Sequence, residues 1–131
     1  MDIEKLREYC LSLGDVTEKT PFGKFAARFE SVLVFYVCGH MFCMFDMDDF
    51  TGVTVKGTPE RIAEIQETRA SCSSHRNMSP KHWIELIFGG DITDSEILDM
   101  VRESYGIVRT KYTPKPKTPK PKKKMDEEGK E

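Results

Sequence analysis

One stretch, Ser79 to Val108 (SPKHWIELIFGGDITDSEILDMVRESYGIV), constrains the fold more than any other part of the chain. It holds the single tryptophan, a compact apolar run and a clear helix start. Thr93 suits an N-cap, Glu96 stands three positions later to close a capping box, and Ile92 can staple onto Ile97. Beyond it Ile97, Val101, Tyr105 and Val108 recur at helical spacing, with Leu98 widening the stripe. Pro114 cannot continue the pattern, so the helix is predicted to end by about Tyr112. Upstream, Trp83 to Phe88 is short, aromatic and branched, and Gly89-Gly90 stops it; it reads as a buried strand.

Earlier in the chain Ile3, Leu6, Cys10 and Leu13 mark a first helix, capped by Asp2 and stopped by Gly14. After a Thr-Pro-Phe-Gly turn at 20 to 23 come three strand candidates, Ala27 to Val37, Met41 to Met47 and Gly52 to Lys56. The short connections between them, Gly39-His40 and Asp48 to Thr51, imply antiparallel hairpins. In the first strand Phe29, Leu33, Phe35 and Val37 alternate inward. Val32, Val34 and Tyr36 make the other face apolar as well, so part of both faces must be covered. Thr58-Pro59-Glu60 opens a second helix, with Ile62 and Ile65 inward until about Arg69. A short strand is expected around Cys72 to His75. The predicted order is α-β-β-β-α-β-β-α, an α+β fold of two layers with a roughly five-stranded antiparallel sheet and three main helices.

With 131 residues and 38% hydrophobic content the chain suits one domain, assigned to residues 1–112, followed by a tail at 113–131. No stretch approaches the roughly 20 apolar residues of a membrane span, and the amino terminus lacks the order of a signal peptide. A cytoplasmic protein, monomeric or weakly dimeric, is expected. Cys10, Cys38, Cys43 and Cys72 form no CxxC pair and are expected as free thiols.

The net charge of −2 conceals an asymmetry. Residues 1–112 carry 13 Lys/Arg against 18 Asp/Glu, whereas residues 113–131 carry 7 against 4. In the tail, TPKPK occurs at 113–117 and again at 118–122 and runs into Lys123-Lys124. Four prolines favour an extended chain, and little apolar surface can be buried, so disorder is expected. Lys115, Lys117, Lys120, Lys122, Lys123 and Lys124, with no acid before Asp126, supply the attraction to phosphate that dominates nonspecific nucleic-acid binding. A solubilising extension is the plainer reading of the same residues.

Several residue patterns resemble the MmcQ/YjbR-like family of small bacterial α+β domains. They are Pro21-Phe22-Gly23, Gly39-His40-Met41-Phe42, Val53-Thr54-Val55-Lys56 before Pro59-Glu60, Lys81-His82-Trp83, and Ser104-Tyr105 followed by Val108. The likeness spans about residues 1 to 112. It implies a two-layer fold with a five-stranded antiparallel sheet and three helices, and the family's usual label, DNA-binding. The chain departs from the pattern at His40, where many relatives carry Lys, and at Asn77-Met78-Ser79-Pro80, where Asn-Lys is usual. One basic contact is thereby missing or titratable.

Lys81 and His82 are the candidate nucleic-acid contacts within the domain; Trp83 beside them reads first as core. Cys38, His40 and Cys43 are soft ligands close in sequence but lack zinc-site spacing. Cys72 and His75 as a nucleophilic dyad lack an orienting third group, and buried cysteines usually act as small hydrophobes. Asp46, Asp48 and Asp49 read as turn acids, without the spacing of a calcium loop. No P-loop, GxGxxG, GxSxG or HExxH occurs. The expected function is therefore nonenzymatic, without cofactor or metal: nonspecific DNA binding through the basic tail. The alternative is a module that binds a protein or small ligand in a cleft between sheet and helices.

Overall fold

The computed structural model describes residues 1–74 and 78–113. The expected disorder of the tail, its six lysines from Lys115 to Lys124, and His75 lie outside the described residues.

Helix α1 spans Ile3–Ser12, and its cap is Asp2, whose carboxylate accepts from the amides of Glu4 (2.8 Å) and Lys5 (3.3 Å). The chain reverses through Gly14 (φ 103°) and Asp15 (φ 57°), and the Tyr105 hydroxyl donates to the Gly14 carbonyl at 2.7 Å. Strand β1, Val16–Lys19, follows and pairs with β2, Val32–Val37. β1 adds a sixth strand to the expected five. Three of its four residues are polar, and an ion pair between Arg7 on α1 and Glu18 ties it to the helix.

The predicted strand Ala27 to Val37 is shorter at its start. Ala27–Phe29 form a 3₁₀ turn, closed by Phe29 and Glu30 amides on the Ala26 and Ala27 carbonyls, and pairing begins only at Val32. Strands β3 (His40–Asp46) and β4 (Gly52–Lys56) complete the meander. Helix α2 (Pro59–Thr68), with Thr58 as cap, leads to the two-residue strand β5 (Cys72–Ser73) and then β6 (Trp83–Ile87). The strand order is β1-β2-β3-β4-β6-β5, antiparallel throughout.

Helix α3 spans Asp94–Tyr112, and both halves of its capping box form: the Glu96 amide donates to the Thr93 hydroxyl (3.1 Å), and the Thr93 amide donates to the Glu96 carboxylate (2.9 Å). Ile92 and Ile97 are buried, as the staple requires. One face of the sheet and the three helices share a single core, with Leu6, Phe35, Phe42, Ile84, Leu86, Ile97 and Val101 fully buried in it. These side chains fill the space between the sheet and the helices that the sequence reading considered for a cleft. No helix among them is long and apolar enough to cross a membrane.

Candidate functional site

The opposite face of the sheet carries the site. Lys19, Val34, Met44, Thr54, Glu85 and Ser73 are paired in register and form one row across all six strands. Val34, Met44 and Thr54 are buried yet stand outside the core shared with the helices. Their cover comes from the segment before β2. Phe22, Phe25 and Phe29 fold over this face and enclose with it a cleft of about 770 Å³, within the usual range of ligand sites. Phe29, predicted to point into the core, lines this cleft and is only half-buried. Phe25 is 71% exposed at its mouth.

One end of the cleft is acidic. Asp46 and Asp49 line it, Glu85 lies nearby on the row of Met44 and Thr54, and Arg28 is the one cation among the described lining residues. Burial would raise the Asp46 carboxyl, but donors on its Oδ1 outweigh that and hold its pKa below the ordinary carboxylate value. They are the Ser31 hydroxyl (2.6 Å) and the amides of Asp48 (2.9 Å) and Asp49 (3.3 Å). Asp46 therefore caps the turn and remains anionic.

The opposite end of the sheet, beyond the residues that line the cleft, is basic and aromatic. Lys56 at the end of β4 pairs with Trp83 at the start of β6, and its ammonium lies 5.7 Å from the Trp83 ring centre. Trp83 is half-buried on the outer face and stands outside the core, contrary to the reading that placed it inside. Lys81 and His82 are exposed on the turn just before it, and the His82 carbonyl accepts from the Gly57 amide at 2.9 Å, which holds that turn against the end of β4. α3 also finishes at this end: the Tyr112 ring stacks on His40 with centres 3.5 Å apart, and Thr113 Oγ1 lies 3.7 Å from Cys38 Sγ. The tail lysines therefore start from the end of the sheet that carries Lys56, Lys81 and His82. Lys56 was not singled out from the sequence, although its VTVK strand was one of the matching family motifs.

The remaining candidates do not converge. Cys43 is fully buried with its sulfur 3.9 Å from that of Cys10, whereas Cys38 and His40 are exposed. Burial pushes the thiols of Cys43 and Cys72 upward, so both are held as protonated, poorly nucleophilic groups. Among the described residues no group of three or more His, Cys, Asp or Glu is placed to hold a metal ion.

These features define a small two-layer α+β domain with helices on one face of an antiparallel sheet and a partly roofed cleft on the other. The YjbR family model matches residues 11–107, and the chain belongs to that family. Among solved structures it is similar to Deinococcus radiodurans protein DR2400, assigned to domain DUF419, at 26% identity and a TM-score of 0.75, covering 86% of this chain and 82% of that one. It also shares the fold of a Pseudomonas syringae protein, at 17% identity, in a crystal structure (TM-score 0.66; 83% and 100% of the two chains) and a solution structure (TM-score 0.63; 83% and 94%). No curated protein matches it.

Proposed function

We propose that this YjbR domain is a nonenzymatic, cytoplasmic nucleic-acid-binding protein, acting as a monomer or weak dimer and contacting DNA phosphate without sequence selectivity. The observation that carries the reading is the meeting of Lys56 with the Lys81-His82-Trp83 triplet at the end of the sheet where α3 delivers the tail. The excess of acids over residues 1–112 opposes docking over the whole surface. Contact is therefore confined to this basic end, with Lys115, Lys117, Lys120, Lys122, Lys123 and Lys124 acting as a tether. A chain carrying both Lys56→Gln and Lys81→Gln should bind duplex DNA more weakly for every sequence tried. Its log–log salt slope should be shallower by about 2, one for each lost phosphate contact. An unchanged affinity and slope would remove the sheet end from the interface.

The cleft favours a second reading, a ligand-binding module, because its volume and its exposed Phe25 suit an apolar guest and its acids suit a cation. Phenethylammonium should shift the methyl resonances of Met41, Met44 and Met78, and phenylacetate should leave them in place. If neither moves them in a chain whose six tail lysines are replaced by glutamine, the cleft is not a ligand site.

A further inference from the structure

We infer that the acidic, aromatic cleft on the outer sheet face is the docking site of the chain's own Pro/Lys-rich segment, residues 114–124. The inference rests on the reading of the cleft as a ligand site and names its occupant.

Three observations support it. The first is charge. Among the described residues Asp46, Asp49 and Glu85 line the cleft with Arg28 as the one cation, and six lysines follow Thr113 before any acid. The second is shape and chemistry. Prolines at 114, 116, 119 and 121 favour the polyproline II conformation, which aromatic-lined grooves recognise at low entropic cost. Phe22, Phe25 and Phe29 supply such a wall, with Phe25 largely exposed and so available to a further partner. The third is reach. Thr113 contacts Cys38 in the β2–β3 turn, and Met41, three residues beyond Cys38, already lines the cleft. From Met41 to Asp46 the cleft runs along β3 for ~17 Å at strand spacing. At ~3.1 Å per residue an extended proline-rich chain from Thr113 would let positions 120 to 124 reach ~20–35 Å, enough to bring lysines to the acidic end. The same lysines then have two competing anionic partners, the cleft acids and nucleic-acid phosphate.

A spin label on the intact chain tests this. Cys38→Ser removes the exposed thiol, Cys10, Cys43 and Cys72 are buried, and Lys123→Cys provides the single labelling site. At low salt the label should broaden the methyl signals of Met44 and Met78, and broadening should vanish in high salt. It should also vanish in a chain carrying both Asp49→Lys and Glu85→Gln, and when the other five tail lysines are glutamine. The last variant leaves every residue of the domain except Cys38 unchanged. Absence of broadening at low salt overturns the inference. So does broadening that appears only when labelled chains are mixed with unlabelled ones, which would assign the cleft to the tail of a second copy. If phenethylammonium shifts the same methyls while the label broadens nothing, the cleft remains a ligand site and only its assignment to the tail is lost.

Discussion

Ser104, fully buried in the middle of α3, donates its hydroxyl to the carbonyl of Phe42 on β3. The same oxygen accepts from the Lys56 amide at 2.8 Å. Regular pairing between β3 and β4 covers only Cys43–Val55 and Met44–Thr54, so one helix side chain satisfies the backbone groups just past the end of that ladder. It also fixes the backbone of Lys56, the basic residue that faces Trp83. Replacing Ser104 by alanine strands a buried acceptor and a partly buried donor and should destabilise the domain by about 1–3 kcal/mol. Urea unfolding would read this as a lower midpoint at unchanged slope; a variant as stable as the wild type would show that the bridge is dispensable.

The start of α3 makes a second prediction. Thr93→Ala removes the cap and one half of the capping box, and should cost about 1 kcal/mol. Thr93→Ser keeps the hydroxyl and should restore most of the loss, so the difference between the two variants in urea isolates the hydrogen bond.

Asp91 gives the clearest dependence on pH. The Ser71 hydroxyl first, then the amides of Ser71 and Ala70, hold its pKa down at about 2, against an ordinary 3.8. The carboxylate thereby clamps the loop before β5 to the loop before α3. Because the folded pKa lies below the unfolded one, the stabilisation is fully present above about pH 4 and is lost as pH falls through about 2. Asp91→Asn should therefore melt below the wild type at neutral pH, and the gap in Tm should close as pH falls across that window. A gap that is constant down to pH 2 would contradict the assignment.

Thiol reactivity separates the cysteines. Cys38 is exposed, whereas Cys10, Cys43 and Cys72 are buried, the last two with raised pKa values. An alkylating agent added to the native protein should modify one thiol quickly, and mapping should place it at Cys38. Rapid modification of Cys72 would revive the thiol-catalysis reading.

The parts of the fold written in local sequence were those with local physical causes. The Thr93–Glu96 box, the Ile92–Ile97 pair and the helical stripe to Tyr112 are all short-range, and α3 has the bounds they imply. β1 was not visible, because Val16–Lys19 is short and mostly polar and owes its conformation to β2 and to Arg7 on the preceding helix. Phe29 was misplaced because an apolar residue before a strand serves a cleft wall as well as a core, and nothing local distinguishes the two. The cleft itself draws on residues from Phe22 to Glu85, and its only sequence trace was the apolar outer face of Val32, Val34 and Tyr36. Lys81 and His82 were legible as basic residues beside an aromatic one; their meeting with Lys56 depends on the β4–β6 register.

The central claim is that the basic end of the sheet and the lysine tail act together on nucleic-acid phosphate. Its most direct test is the salt dependence of duplex DNA binding by the intact chain and by a chain ending at residue 112. The account predicts that affinity of the intact chain falls linearly on a log–log plot against salt, and that removing the tail flattens the slope by up to ~5, since each of six lysines can release about 0.9 counterion. No binding by the intact chain at low salt, or the same slope with and without the tail, would contradict it.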